Sequence, residues 1–398
     1  MSRASTTTDL PLATIFIMAV ASALTVANVY FNQALLPAIA TGFSVSPREA
    51  GLVATLSQLG YALGIVLVVP LGDRAEPRSL IRFLLLGVAV VLLAASSSPT
   101  LSILAFLSVL ICMGTCVPQI VLPLAAGLAQ PERRGRVIAA VQTGLILGIL
   151  LSRTLAGLAG ATFGWRPVYV IAAVLMAVSA LILPAILPRR GSAPTALLYL
   201  PLLASLWGLL RREPQLRLSC LLGATTFAAF SAFWTTIAFR LGQPPFGLDL
   251  GGIGLFALWG GIGGLASPMA GGLIDRFGQD RASAATIGIA ALTFVIAITF
   301  PTQYVALVVA ANLISFGLSV GQIANQARIF ALGSEARSRL NTVYMAITFA
   351  GSAVGSAAGG TAWASWGWMG VCVFALVCVA IAAVALAMAK RNRNHEGE

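Results

Sequence analysis

The chain has 398 residues, of which 59% are hydrophobic and 9% are charged, and its formal net charge is +12. So few charged side chains cannot cover a water-soluble surface, which excludes an ordinary soluble domain. The basic residues lie between long hydrophobic runs rather than in one cluster, so we expect no nucleic-acid partner.

Twelve hydrophobic runs follow one another along the chain. A helix of roughly 20 apolar residues crosses about 30 Å of hydrocarbon, and backbone groups in lipid must find their partners within that helix. The predicted spans are 12–35, 48–71, 79–97, 100–126, 136–162, 165–187, 215–240, 249–272, 282–300, 303–331, 339–362 and 366–389. The sequence therefore predicts an all-α membrane protein with twelve transmembrane helices.

The Lys and Arg residues alternate between the two sets of gaps that separate the spans. The set that includes both termini holds 20 of the 24 Lys and Arg residues when the span ends are counted with the gaps, as the N-terminus, 72–82, 127–136, 188–217, 273–281, 328–339 and the C-terminus. The other set holds Arg48, Arg166 and Arg240 at span ends, and Arg153 alone lies deep inside a span. Because cytoplasmic loops carry the excess of basic residues, we predict that both termini are cytoplasmic and that the protein spans a bacterial-type inner membrane.

An internal repeat divides the chain, because the segment that starts at 148 aligns without a gap with the segment that starts at 351. The pairs at this offset of 203 residues include Gly148 with Gly351, Gly157 with Gly360, Gly164 with Gly367, and Trp165 with Trp368. We predict two pseudo-symmetric six-helix bundles, 1–187 and 215–398. A cytoplasmic linker, 188–214, joins them and contains a short interfacial helix at 196–212. Parallel repeats of this kind are a known transporter design, with the substrate held between the halves.

The loops after the second and eighth spans read LGDRAEPR at 71–78 and GGLIDRFGQDR at 271–281. Both are similar to the loop signature of the major facilitator superfamily, although Glu76 stands where that signature has a glycine. The resemblance covers the whole chain and implies the major facilitator fold. A carboxylate beside arginines at a helix end can bind a neighbouring helix terminus and release it when the halves move. The candidate residues for such a conformational latch are Asp73, Arg74, Asp275 and Arg276. A loop that only orients the chain is the alternative.

The fifth span resembles a motif of one branch of this superfamily, the twelve-span drug and metabolite efflux branch. That motif approximates G-x3-G-P-x2-G-G. The matching residues are Gly148, Ser152, Ala156 and Gly157, and in the second copy Gly351, Gly355, Gly359 and Gly360. Arg153 occupies the proline position of the first copy, and Ser356 occupies that of the second. The resemblance implies an efflux transporter similar to drug:proton antiporters, and the small residues allow close helix packing in lipid.

By resemblance, spans 1, 4, 7 and 10 line a central cavity, and polar side chains recur at helical spacing along the same spans. Amides and hydroxyls are costly in lipid unless they are partnered, so they should face one another or water. The candidate substrate-binding residues are Asn28, Asn32, Gln119, Trp234, Thr235, Gln322 and Gln326, together with Arg153. For any one of them, a hydrogen bond between helices is the alternative role.

Arg153 is expected in the outer half of the membrane, about 25 Å along the helix axis from Arg136. Its expected partners are backbone carbonyls of residues 258–264, Asp249 at the outer end of span 8, or a substrate anion. A strut between the halves and a direct substrate contact both remain open.

Several residue types are missing from the predicted spans. All twelve Asp and Glu residues fall in loops, in tails or at span ends. This disfavours a cationic substrate, and it disfavours proton coupling through a carboxylate in the middle of the membrane. The five cysteines fall inside spans and His395 is the only histidine, so we expect no metal site, no disulfide framework and no cofactor. No phosphate loop and no nucleophile with a base are present, so we expect neither catalytic residues nor an enzyme or ATP-driven pump.

The leading hypothesis is a secondary transporter that exports a small amphiphilic drug or metabolite by alternating access. It would work as a monomer in the lipid bilayer, with coupling to protons left open. Uptake or facilitated transport of a small organic anion is the alternative, motivated by Arg153 and the acid-free spans. A lipid translocase on the same fold is less favoured, and a lateral opening between the halves would support it. A non-transporting receptor or scaffold is also less favoured, because no gap between spans could hold an extramembrane domain.

Overall fold

The computed structural model describes residues 11–73, 75–130, 133–187, 199–269, 276, 278–333 and 336–396. Among these residues the chain is all-helical and forms no strand. The predicted fold class is confirmed.

The first part of the chain forms helices that follow the first six predicted spans. They are α1 (Leu12–Phe43), α2 (Pro47–Leu67), α3 (Pro77–Ser96), α4 (Leu101–Gly114), α5 (Val117–Leu128), α6 (Arg134–Phe163) and α7 (Trp165–Ile186). The predicted fourth span is divided into α4 and α5, because Pro118 in the first turn of α5 has no N–H to continue the helical ladder. A 3-10 turn, Val69–Asp73, follows α2.

The second part begins with a helix in the predicted linker. Its helices are α8 (Tyr199–Arg212), α9 (Pro214–Gly242), α10 (Leu250–Gly261), α11 (Gln279–Thr299), α12 (Tyr304–Phe330) and α13 (Arg337–Glu396). The helix α8 corresponds to the predicted interfacial helix, and its Tyr199 hydroxyl donates a hydrogen bond to the carbonyl oxygen of Leu67 at the end of α2. A 3-10 helix, Ile262–Met269, continues α10.

Ten helices of the described residues are long and apolar enough to cross a membrane. One of them, Arg337–Asn392, carries two spans, because Gly367 interrupts α13 with φ 59° and ψ −150°. Gly164, its partner in the repeat, ends α6 with φ 82°. This left-handed conformation favours glycine, so the repeat places the same turn residue before the last helix of each copy. With the shorter apolar helix Leu250–Leu265, all twelve predicted spans are represented.

Small residues bring equivalent helices into close contact in the two copies, α1 with α6 and α9 with α13. A Cβ atom added at Gly148 would lie 2.4 Å from the carbonyl oxygen of Ala23. A Cβ atom added at Gly351 would lie 2.5 Å from the carbonyl oxygen of Ala224. Backbones therefore touch directly, which supplies the van der Waals contact that holds helices together in lipid.

Two helix pairs make the most extensive contacts between the predicted N-terminal half and the predicted C-terminal half. They are α2 with the part of α13 before Gly367, and α6 with α10; we call these two contacts the seam. In the first pair, Thr55 Oγ1 donates to Ser356 Oγ at 3.1 Å. In the second pair, Gly157 and Gly254 approach so closely that a Cβ atom added at Gly157 would lie 2.8 Å from Gly254 Cα. Neutral groups therefore make these seam contacts.

Candidate functional site

Arg153 projects from α6 into a buried junction of three helices, with only 4% of its surface exposed. Its Nε donates a hydrogen bond of 2.8 Å to Oε1 of Gln33 on α1. Around the guanidinium lie the rings of Tyr30, Phe230 and Trp234, whose centroids are 4.9, 5.9 and 4.4 Å from Cζ. We call these five residues the arginine junction.

The arginine junction spans the two predicted halves, because Tyr30 and Gln33 belong to α1 and Phe230 and Trp234 belong to α9. A contact between a cation and a ring contributes about 0.5–1 kcal/mol at an exposed site and about 2 kcal/mol or more when it is desolvated. The rings therefore offset part of the cost of removing the guanidinium from water, and they link α6 to a helix of the other half.

The partners that we expected for Arg153 on α10 are not the ones it contacts. Asp249 instead caps its own helix, accepting a hydrogen bond of 2.8 Å from the backbone N–H of Gly252. Its neighbour Leu250 packs beside Gly160, about 10 Å farther along α6 than Arg153. The helix α10 runs along the face of α6 that carries Leu150 and Gly157, whereas Arg153 points towards α1 and α9.

Three hydrogen-bond donors in the arginine junction are buried without a partner. They are Nη2 of Arg153, Nε2 of Gln33 and Nε1 of Trp234. A buried donor without an acceptor costs about 1–3 kcal/mol, and more when it is charged. The junction therefore holds one positive charge and a surplus of donors.

The polar residues predicted on span 1 bond within α1 and to neighbouring helices. Asn28 donates to the carbonyl oxygen of Leu24 at 3.0 Å and to the sulfur of Met176 on α7 at 3.4 Å. Asn32 donates to Ser57 Oγ on α2 at 2.7 Å. Both side chains are buried.

The candidates on the other predicted cavity spans are also partnered. The Oγ1 of Thr235 and the Oγ of Ser356 are 3.0 Å apart and share a hydrogen bond. Gln119 Nε2 donates to the Tyr61 hydroxyl at 3.3 Å. Gln322 and Gln326, both on α12, donate to Met345 Sδ at 3.6 Å and to Asn341 Oδ1 at 3.1 Å. Among the eight predicted binding residues, the structure brings Arg153 and Trp234 into contact, and the other six have partners on adjacent helices or in their own helix.

The predicted latch falls largely outside the described residues. Arg74 and Asp275 lie outside them, as does the side chain of Asp73, whereas Arg276 is described and exposed. The latch therefore stays a prediction.

The two copies of the loop motif differ for a local reason. In the first copy Glu76 caps α3, accepting hydrogen bonds of 2.8 Å from the N–H and the hydroxyl of Ser79. Burial alone would raise the pKa of the Glu76 carboxyl, but these hydrogen bonds and the nearby Arg78 hold the pKa below its ordinary value. In the second copy Gly278 precedes α11 with φ 81°, which favours glycine.

A buried charged cluster at the end of α12 was not predicted from the sequence. Arg328, which we counted with the basic gap 328–339, is 3% exposed and pairs with Asp280 Oδ1 at 3.1 Å. It also donates to Asn325 Oδ1 at 2.7 Å and to Ser283 Oγ at 2.9 Å. The spacing of Asn325 and Arg328, one helical turn apart, was the available signal.

Comparisons with known proteins agree with this architecture. The family model described as Major Facilitator Superfamily matches residues 16–266 and 245–398. The chain is 40% identical over 366 residues to a putative uncharacterized transporter of Escherichia coli, covering 92% of both chains. It is 37% identical over 365 residues to a probable transporter of Streptomyces coelicolor, covering 90% of this chain and 83% of the relative.

Among solved structures, the fold is similar to a bacterial homologue of the human lysosomal transporter Spinster in an inward-facing conformation. The TM-score is 0.71 at 17% sequence identity, over 94% of this chain and 95% of that one. The twelve apolar spans, the repeat and these matches lead to one conclusion. The chain belongs to the major facilitator superfamily and is a multi-pass membrane transporter.

Proposed function

We propose that the protein is a secondary transporter of the bacterial inner membrane that exports a small amphiphilic metabolite or drug by alternating access. In this proposal both termini are cytoplasmic, and the chain works as a monomer of two six-helix halves, 1–187 and 215–398. The excess of Lys and Arg on the side of the termini supports this orientation.

The observation that carries the proposal is the position of the arginine junction between the halves. A solute bound against Arg153 on α6 and Trp234 on α9 would contact both halves at once. A ligand shifts a conformational equilibrium only by its difference in affinity for the two states. A site shared between the halves supplies that difference, because movement of the halves changes the site.

The chemistry of the seam also supports reversible opening. Thr55 and Ser356 meet through hydroxyl groups, and a neutral hydrogen bond contributes about 0.5–1.5 kcal/mol net. Separating the hydroxyl contact between Thr55 and Ser356 therefore breaks no buried ion pair.

The positions of the carboxylates decide how protons would be coupled to transport. Every Asp and Glu among the described residues lies at the end of a helix or beside one. Coupling would then run through an interfacial carboxylate such as Asp73 or Asp275, and a facilitator without coupling is the alternative.

The test uses the full chain in inverted and right-side-out membrane vesicles with a panel of amphiphilic compounds, with and without a pH gradient. Export predicts accumulation in inverted vesicles, and proton coupling predicts that collapsing the gradient abolishes the accumulation. Movement of no compound in either orientation would contradict the proposal.

A second candidate is uptake or facilitated transport of a small organic anion, which the unpaired positive charge of Arg153 favours. Accumulation of an anion in right-side-out vesicles but not in inverted vesicles would support uptake. Equal rates in both orientations that do not depend on a pH gradient would support a facilitator.

A further inference from the structure

We propose that the arginine junction is an oxyanion subsite that binds the carboxylate of a small amphiphilic acid. This inference rests on the proposed transport function and names its substrate class. The carboxylate would meet Arg153, Gln33 and Trp234, and the apolar body of the acid would lie against the rings of Tyr30 and Phe230.

The first argument is the charge balance. Arg153 is 4% exposed, and no carboxylate among the described residues forms an ion pair with it. Buried charges in proteins are usually paired or coordinate an ion, because an isolated charge is costly to desolvate. A bound anion would provide the counter-charge that the described chain does not supply there.

The second argument is the type of the unpaired groups. Nη2 of Arg153, Nε2 of Gln33 and Nε1 of Trp234 all donate, and none of these nitrogens accepts. The nearby amide acceptor, Oε1 of Gln33, is already bonded to Arg153 Nε. A ligand that accepts several hydrogen bonds through adjacent oxygens therefore complements the junction, and a cationic ligand does not.

Two other arginines that lie on aromatic rings lack this surplus. Arg166 lies 4.4 Å from the ring centroid of Trp165 and donates to the backbone oxygens of Ser96 and Ser98. Arg240 lies over Phe246 and donates to the backbone oxygens of Pro301 and Pro244. Backbone carbonyl oxygens accept hydrogen bonds from those two arginines, whereas Arg153 has a single acceptor, the side chain of Gln33.

The third argument is that the position equivalent to Arg153 in the second copy of the repeat carries no charge. The repeat aligns Arg153 with Ser356, and Ser356 links its own half to Thr55 through hydroxyl groups alone. A strut between the halves therefore does not require an arginine, and the charge at Arg153 has to be explained by something other than helix packing.

The experiment measures binding by thermal shift and titration on the purified full chain in detergent at fixed ionic strength. The probes are benzoate, indole-3-acetate and 2-naphthoate, each paired with its neutral amide. We expect at least one acid to raise the melting temperature saturably, and its amide to bind at least about tenfold more weakly. Equal binding of acid and amide, or no binding of any of the three acids, would overturn the proposal.

Four variants locate the site. Arg153→Gln should weaken acid binding by about tenfold to a hundredfold, and Trp234→Phe, which keeps a ring but removes the N–H, should weaken it by several-fold. The matched control Arg166→Gln should leave it unchanged. Gln33→Glu supplies an internal carboxylate, so it should raise the melting temperature without ligand and abolish acid binding. Retained acid binding in Arg153→Gln or in Gln33→Glu would overturn the proposal.

Failure of this inference can be distinguished from failure of the proposed function. Reconstituted protein that carries the amide as fast as the acid would contradict the oxyanion subsite and leave the transporter in place. Saturable binding of the acid through Arg153, with no movement across the membrane in either direction, would support the subsite and contradict alternating-access transport.

Discussion

The same position in the two copies of the repeat carries different chemistry. Arg153 on α6 bonds to Gln33 on α1, and Ser356 on α13 bonds to Thr235 on α9. Each residue therefore links the fifth transmembrane span of its half to the first span of the same half. In the first copy the side chain is charged and reaches the rings of the other half. In the second copy it is a hydroxyl that meets Thr55 of the other half. Both copies therefore keep the contact between their first and fifth spans, but one copy places a guanidinium there and the other a hydroxyl. This is expected where a symmetric scaffold holds an asymmetric site.

The largest effect is expected from Arg153→Ala. Losing the guanidinium removes the charged donor of the junction and should lower the transport rate by about tenfold to a hundredfold. Size-exclusion chromatography in detergent should show that the variant still inserts and folds. Transport at the wild-type rate would contradict both a strut and a substrate contact at this residue, and the two copies would then be functionally alike.

Matched substitutions at the helix contacts test whether the scaffold is as symmetric as the repeat suggests. Gly148→Val and Gly351→Val each push a side chain into the backbone of a facing helix, so each should lower the unfolding free energy by about 1–3 kcal/mol. The measurement is denaturant unfolding in detergent, with Gly87→Ala as control because a Cβ atom there meets nothing within 4 Å. A large loss of unfolding free energy in only one of the two variants would show that the helix contact of that half contributes most of the stability.

A smaller effect is expected from Ser356→Ala. Thr55 keeps its bond to the carbonyl oxygen of Gly51, so the loss is mainly the bond to Thr235 and should amount to about 1 kcal/mol. Transport should stay within a few-fold of wild type. A loss as large as that of Arg153→Ala would mean that the hydroxyl cluster, and not the charge, is the important element of the seam.

The smallest effects are expected in the loop motif. Gly278 has φ 81°, so Gly278→Ala should cost about 1 kcal/mol in unfolding free energy. Glu76→Gly restores the family residue but removes a helix cap, and should cost only a few tenths of a kcal/mol. The same unfolding assay compares them, and the reverse order would contradict our explanation of why the two copies differ.

The helices could be predicted from the sequence because lipid imposes a simple rule on composition and length. The repeat aligns Gly164 with Gly367, and this alignment indicated a shared turn at both places. The structure shows that both glycines have a positive φ, a conformation that favours glycine. The end of α1 at Phe43 could not, because apolar residues continue past the length that the membrane requires.

The site was harder to predict because it depends on which way each side chain leaves its helix. The motif told us that Arg153 replaces a proline, but not that it points towards α1 and α9 rather than α10. Gln33 and Phe230 lie far from Arg153 in the chain, and only the packing of three helices brings them together. Arg328 was missed because a basic residue near a span end is usually a loop residue, and its partner Asp280 belongs to another helix.

The glycine and alanine contacts between α1 and α6, and between α9 and α13, have a mechanical consequence. Helices that touch through their backbones have no long side chains between them that could change rotamer, so each pair resists sliding and bending. We expect elastic deformation to concentrate at the softer places, where hydroxyls and ring edges meet. A small displacement caused by a solute between the halves would then be transmitted along these two rigid helix pairs. It would become a larger movement of the helix ends at the membrane surface.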